Sequence, residues 1–340
     1  MAFIACRAPF LVNRVSIRQM KPGRVISNSQ IRPYNLDITE LSNMMRIALI
    51  ALASILVIPN SQLKAQDEKD FSLNRLTDDL YHFRGGTGGN HFGTVLVTDE
   101  GIVVVDTVEP KSALWLKNEL AKRFNQPVKY VIFSHSHYDH IGGSKLFKEG
   151  GAIIIAHENA EAEILEEERT QQWMSKREIV LPDIAFSDKF VLKIGDKTVN
   201  LISLGSGHTD SLIVAHFVED RTIHLVDVAS IKQVGFMTLG RPIKKYIPQL
   251  EKAMALDFDL VVPGHAALGE KQDVRNYIDY LTTLISQVEN AISEGKTLEE
   301  TQQILLGSMA EFNYLKRWDE WFLLNVTGVY LQIAEGEASD

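Results

Sequence analysis

The chain has 340 residues with 45% hydrophobic, 23% charged and 8% aromatic content, which excludes disordered, collagen-like and coiled-coil classes and leaves material for a sizeable core. Lys+Arg 35 against Asp+Glu 44 gives a net charge of −9, the wrong sign for neutralising phosphates over a broad surface, so nucleic acid is not an expected partner. The single cysteine, Cys6, excludes an intramolecular disulfide and any cysteine-based zinc module.

Residues 44–65 read Met-Met-Arg, an apolar run from Ile47 to Ile58 broken only by Ser54, and a polar stretch that ends at Ala65. A basic start, an apolar middle and a small residue at the end are the three parts of a secretory signal, with cleavage expected near Ala65 and a periplasmic product. The run is shorter than the ~20 residues that cross a bilayer, and no cysteine follows it to accept a lipid, so the mature chain is expected to carry no stable membrane anchor. Residues 1–43 carry Arg7, Arg14, Arg18, Lys21, Arg24 and Arg32 against Asp37 and Glu40, without a helical or strand period. They read as an upstream extension with the working start at Met44 or Met45, or as a separate presequence. Removing residues 1–65 takes eight basic and two acidic side chains, leaving 275 residues, 27 basic and 42 acidic, and a net charge of −15.

Past the leader, strand-like runs at Leu80–Phe83, Phe92–Thr98 and Ile102–Asp106 alternate with the glycine loop Gly85–His91 and an Asp99-Glu-Gly turn, the pattern of an antiparallel meander. A helix is expected over Ser112–Phe124 with Ser112 as its cap, and Val128–Phe133 has the continuous apolar character of a strand buried on both faces. Ala152–Ala156 is a second such run, and Glu158–Lys176 reads as a solvated helix. Strands resume at Phe190–Ile194, Val199–Leu204, Leu212–Phe217 and Thr222–Val226, followed by a helix at Ile247–Leu256 and a short strand at Leu260–Pro263. After Ala266 the expectation is helical: Asp273–Ser293, Leu298–Leu306 and Tyr314–Ala334. Strands followed by βα units, twice over, point to two sheets, each covered on one side by helices.

The chemistry concentrates in Ser134-His135-Ser136-His137-Tyr138-Asp139-His140-Ile141-Gly142-Gly143, directly after the strand at 128–133. In an extended loop, residues two apart point the same way, so His135 and His137 can grip one ion while Asp139 and His140 turn toward another. Neutral imidazole and carboxylate without thiolate suit zinc, and iron or manganese is compatible with the same donors. Three further apolar runs end in Gly205-Ser-Gly-His208-Thr-Asp210, in Val226-Asp227 and in Pro263-Gly264-His265, so four loops at one edge bring seven donors.

The order His-x-His-x-Asp-His-x-Gly-Gly at 135–143, Gly-His-Thr-Asp at 207–210, Asp227 and Gly264-His265, with Val103-Val-Val-Asp106-Thr107 upstream, resembles the metallo-β-lactamase superfamily in the arrangement of glyoxalase II and the dinuclear lactonases. The match runs from about Leu80 to Ala267. The resemblance implies an α/β (α+β) chain built as a four-layer αββα sandwich over residues 72–270, with a C-terminal helical extension at 271–336 packed on or beside it. It also implies two zinc ions. His135, His137 and His208 would hold the first, Asp139, His140 and His265 the second, and Asp227 would bridge both. Asp139 would in addition act catalytically, passing a proton to the leaving group, while Asp106 would brace a ligand histidine or cap its strand.

The implied activity is hydrolysis of an amide or ester bond of a small molecule by a hydroxide shared between the ions. A glyoxalase II-like thioesterase is the alternative within the fold, and a metal-binding partner-docking module with little catalysis the alternative from another class. Asp227 stands where many true β-lactamases carry Cys or Ser. Ser230 stands where some carry a drug-anchoring Lys, with Lys232 two residues on; both are candidate substrate-binding residues. The loop 85–91 reads as a flap over the metals or as a plain hairpin turn. His82, His91, His157, His216 and His224 are expected in packing or surface roles because the seven donors already complete a set, and Trp173, Trp318 and Trp321 are expected to pack.

Overall fold

A computed structural model describes residues 70–170, 178, 180–240 and 242–336. The expected signal segment, the extension before it, Trp173 and the end of the helix expected to reach Lys176 lie outside the described residues. The first sheet has seven strands that lie side by side in chain order: β1 (Ser72–Arg75), β2 (Leu80–Gly85), β3 (His91–Val97), β4 (Ile102–Val105), β5 (Val128–Ile132), β6 (Ile153–His157) and β7 (Ile184–Phe186). Strands β1 to β4 pair antiparallel, as the meander pattern predicts, and β4 to β7 pair parallel. The parallel pairs need crossovers, which α1 (Pro110–Arg123), α2 (Tyr138–Ile141), α3 (Lys145–Lys148) and α4 (Ala160–Thr170) supply.

The second sheet holds β8 (Lys189–Ile194), β9 (Lys197–Ser203), β10 (Ile213–Phe217), β11 (Thr222–Leu225), β12 (Leu260–Val262) and β13 (Gly269–Glu270), with β13 and β8 at its edges. Only β11 and β12 run parallel, joined through α5 (Ile243–Met254). Helices α6 (Lys271–Ser293), α7 (Leu298–Ser308) and α8 (Trp318–Ala334) complete the described chain.

Period-2 alternation assigns the layers. In β4, Val103 and Val105 enter the core between the sheets, together with Leu80, Ile132, Leu201, Ile213 and Phe217. Their neighbours Ile102 and Val104 face the other way, onto Leu116 and Leu120 of α1 and Ile164 of α4. Across the second sheet, Val214, Ile223 and Leu225 pack against Leu250 of α5, Leu281 and Leu284 of α6 and Val329 of α8. The result is helices, sheet, sheet, helices, each interface a run of fully buried aliphatic side chains worth about 1.5–3 kcal/mol apiece. The C-terminal helices thus share a core with the second sheet. Buried Asn325 of α8 donates to Gly235 O (2.9 Å) and Met237 O (2.6 Å) and accepts from Tyr280 (2.7 Å), which clamps the loop that follows β11.

Several local expectations are corrected. Ser112 does not cap α1: the helix starts at Pro110, whose fixed φ suits a first position and which has no N–H to satisfy, and buried Ser112 accepts instead from Gly86 N–H at 2.8 Å. Strand β5 is buried on both faces only toward its C-terminal end, since Lys129 is exposed. Helix α5 begins at Ile243, a turn before the expected start, and carries Pro248 inside. Strands β1, β7 and β13 were not expected; each is a short edge strand defined by its neighbour's free hydrogen bonds rather than by a pattern of its own. Among the described residues, no helix is long and apolar enough to cross a membrane.

Candidate metal centre

The donors arise where strands end. Strand β4 leads to Asp106, β5 to Ser134–His140, β9 to the loop of His208, β11 to Asp227 and β12 to His265. Asp106 (φ 60°), Asp227 (φ 58°) and Ala266 (φ 83°) take left-handed backbone there, turning the chain sharply at the strand ends. Gly264 is required by contact: a Cβ on it would fall 2.4 Å from Asp227 Oδ1 and 2.8 Å from His140 Cε1. Backbone bonds stitch the loops together, Phe92 N–H to Gly264 O at 2.9 Å, Val108 N–H to His140 O at 2.8 Å and Ile213 N–H to Ser134 O at 2.9 Å.

Three donor groups lie together, two of them sharing Asp227 and the third made of His91, Asp139 and His265. In the first, His135, His137, His208 and Asp227 each place a donor atom within 4.8 Å of the others, with His208 Nε2 3.1 Å from His137 Nδ1 and 3.4 Å from Asp227 Oδ2. In the second, His140, His265 and Asp227 do the same, with His140 Nε2 3.3 Å from His265 Nε2 and His265 Nε2 3.4 Å from Asp227 Oδ1. Asp139 Oδ2 lies 3.5 Å from His140 Nε2 and 3.4 Å from His265 Nε2. Asp227 stands between the first two groups: its Oδ2 lies 3.4 Å from both His208 Nε2 and His140 Nε2, and its Oδ1 faces His265.

Partners behind the donors fix where their protons sit. Asp106, fully buried, accepts from Ser134 N–H (2.9 Å) and from the Ser134 hydroxyl (2.7 Å), and His140 Nδ1 lies 3.0 Å from its Oδ2. A carboxylate only accepts, so His140 carries its proton on Nδ1 and presents a lone pair at Nε2. His265 Nδ1 donates to Asn90 O at 2.8 Å, with the same consequence. The Ser134 hydroxyl, spent on Asp106, is an acceptor toward His135 Nδ1 at 3.0 Å, which again leaves Nε2 bare. Two imidazole lone pairs facing each other at 3.3 Å, together with buried Asp227 Oδ1 and His135 Nε2 lacking any hydrogen-bond partner, are a liability unless a cation lies among them. The donor set fits a divalent metal on that ground.

The electrostatics agree. Burial and the surrounding imidazoles push the His135 pKa well below its usual value. Burial also works against charge on His140 and His265, yet Asp227 and Asp139 outweigh it, raising His140 well above the normal range and His265 to about 10. The carboxylates of Asp106, Asp139 and Asp227 are all lowered despite burial, because imidazoles surround them. The site thus demands positive charge, which protons on His140 and His265 or bound cations can supply.

Residues 86–265 match the family model of the metallo-beta-lactamase superfamily, a span that closes on the seventh donor. The chain belongs to this superfamily. A type 2 metallo-beta-lactamase of Bacillus cereus is 30% identical over 196 residues, 56% of this chain and 72% of that protein. The alpha subunit of a 2,4-dinitroanisole O-demethylase from a Nocardioides strain is 26% identical over 169 residues, 49% of this chain and 50% of its own. Among solved structures, a metallo-beta-lactamase from Pontibacter korlensis superposes with a TM-score of 0.54 at 19% identity, covering 62% of this chain and 99% of that one. The sec-alkylsulfatase Pisa1 from a Pseudomonas species reaches 0.62 at 16% identity, covering 77% and 50%. These two show the fold alone. Superfamily membership and the donor cluster make the chain a metal-dependent hydrolase.

Within this metallo-beta-lactamase fold the seven sequence-predicted donors come together, and Asp106 both braces His140 and receives the end of β5 through Ser134 N–H. Lys232 is engaged elsewhere, its ammonium donating to Leu268 O at 3.1 Å and facing Asp273 at 3.4 Å, and Ser230 lies half-buried beside Tyr277. The glycine loop is tied down, with Gly86 N–H on Ser112 and Arg84 Nε donating to Gly89 O at 2.7 Å. His157 and His216 serve local backbone contacts, and Trp318 stacks on Phe322 at 3.8 Å. Three side chains at the site were missed. His224 bridges Asp106 (3.3 Å) and Thr94 (2.9 Å), the Tyr246 hydroxyl stands 3.3 Å from His208 Nδ1, and His91 Nε2 faces Asp139 Oδ2 at 3.4 Å. The adjacency of His91 to the glycine loop was the one sequence signal available for it.

Proposed function

We propose that this superfamily member is an exported two-zinc hydrolase that opens an amide or ester bond, of lactam or lactone kind, in a small molecule. The observation that carries the reading is Asp227, which stands between the two donor groups, with Oδ2 3.4 Å from both His208 Nε2 and His140 Nε2 and with Oδ1 facing His265 and buried without a hydrogen-bond partner. His135, His137, His208 and Asp227 would hold one ion, and Asp139, His140, His265 and Asp227 the other. Two divalent ions so placed supply Lewis acidity that polarises a carbonyl and activates water near neutral pH. Asp139 is the most open of the carboxylates, its side chain 39% exposed against 9% for Asp227, which suits it to hand a proton to a leaving group. Export rests on the signal-like segment at 44–65, and a small substrate rather than nucleic acid on the acidic charge.

Purified protein is assayed for bound metal and for turnover of nitrocefin, a homoserine lactone, a thioester and an aryl phosphodiester, each with and without chelator. Chelator-sensitive turnover of the lactam or the lactone supports the reading, and turnover of the thioester alone replaces it with a thioesterase. Fewer than one metal per chain, or no chelator-sensitive turnover of any substrate, refutes it.

A further inference from the structure

His91 opens β3 beside the second donor group, with its side chain 19% exposed. Its ring meets His265 edge to face at 4.7 Å, and its Nε2 stands 3.4 Å from Asp139 Oδ2, an ion-pair distance just beyond the roughly 2.7–3.2 Å of an N–H···O hydrogen bond. Two other imidazole nitrogens surround the same oxygen, His140 Nε2 and His265 Nε2. As neutral rings, neither can donate to it, because each keeps its proton on Nδ1 for Asp106 or for Asn90 O. His91 is built the opposite way. Its Nδ1 is buried with no hydrogen-bond partner, sealed by Gly86, where a Cβ would fall 2.1 Å from that nitrogen. An orphaned buried N–H is rarer and costlier than an orphaned acceptor, which places the proton on Nε2, aimed at Asp139.

The backbone on either side reinforces the placement. Asn90 O holds His265, and Phe92 N–H bonds Gly264 O at 2.9 Å, so His91 cannot shift without moving the loop that carries His265. Ser134 stands behind His135, Asp106 behind His140, Asn90 behind His265 and Tyr246 beside His208. With the Nε2 lone pairs of His140 and His265 committed to a metal, His91 would be the one of the three imidazoles around Asp139 with a proton to give. We propose that His91 is a positioning residue that donates its Nε2–H to Asp139 Oδ2 and thereby sets the affinity of the second donor group for its metal. This rests on the two-metal reading above.

Full-length wild type, His91→Ala and His91→Gln are stripped of metal and titrated with zinc against a chromophoric chelator. The tautomer of His91 is read separately in zinc-loaded wild type by long-range 1H–15N correlation. In His91→Ala the second zinc equivalent is expected to bind about 10- to 100-fold more weakly, with the first little changed. His91→Gln, which retains an N–H donor, restores most of that loss, and the wild-type spectrum shows the proton on Nε2. Wild-type affinity for both equivalents in His91→Ala, equal losses in both variants, or a proton on Nδ1 would each overturn the proposal. Fewer than two equivalents in wild type itself overturns the two-metal reading instead, so the two failures are told apart by the wild-type titration.

Discussion

Asp106 is the residue on which the site and the fold press hardest, and its replacement separates their demands. Four donor contacts converge on this fully buried carboxylate: Ser134 N–H and the Ser134 hydroxyl, His140 Nδ1 and His224 Nε2. Asp106→Ala strands all four, and removing one partner of a buried charged network costs about 3–5 kcal/mol. At about 2–4 °C per kcal/mol for a domain of this size, the melting temperature falls by roughly 10 °C. Asp106→Asn behaves differently, because its single acceptor can replace only one oxygen. Placed at Oδ2 it keeps the Ser134 hydroxyl, His140 and His224 and forfeits only Ser134 N–H, a loss of about 1–3 kcal/mol. His140 then retains its Nδ1 proton and its Nε2 lone pair. Asp106→Ala is therefore expected to weaken the second zinc equivalent by about 10- to 100-fold while Asp106→Asn loses much less. Thermal unfolding and competitive zinc titration read the two effects independently. A melting point for Asp106→Ala within two degrees of wild type, or undiminished binding of the second equivalent, refutes the reasoning.

Because Asp227 serves both groups, Asp227→Ala should lose both zinc equivalents whereas His135→Ala loses only the first; elemental analysis after dialysis distinguishes them, and equal stoichiometry in the two variants contradicts a shared carboxylate. The His82 pKa is lowered to about 4, first by burial and then by the nearby His224 and Arg84. The unfolded chain takes up that proton near pH 6.5 and the folded chain only near 4, so acidification through this window costs about 3 kcal/mol, recovered as pH rises. Urea unfolding in chelator at several pH values should show a shallower acid slope for His82→Leu; parallel slopes would exclude the assignment. Gly328 of α8 lies against the loop after β11, where a Cβ would fall 1.6 Å from Thr238 O, so Gly328→Ala should cost about 1–3 kcal/mol of overpacking without changing zinc stoichiometry. A variant that melts with wild type would show that α8 does not clamp this loop.

How much of this was readable beforehand follows from the range over which each feature is determined. The segment 134–143 carries four donors within six residues, and the run before it demands a buried strand, so its placement at a strand end is a local consequence of spacing. The meander from β2 to β4 and the amphipathic α6 are equally local, since period 2 and period 3.6 are properties of consecutive residues. The loop Gly85–His91 shows the limit. Its glycines announce a turn, but only the contacts of Gly86 with His91 and of Asn90 with His265 convert that turn into part of the site. His224 reads as an ordinary buried strand residue because its partners, Asp106 and Thr94, are more than a hundred residues away in the chain.

The sequence by itself determined the class of chemistry: imidazole and carboxylate without thiolate, placed at the ends of apolar runs, in an acidic chain. Tertiary structure alone decided which donors cluster together, that Asp227 faces both groups, and which nitrogen of His135, His140 and His265 is left bare. Those outcomes depend on the acceptor behind each ring, Asp106 for His140, Ser134 for His135 and Asn90 for His265. That acceptor can be a sequence neighbour or lie 175 residues away, and spacing alone does not say which.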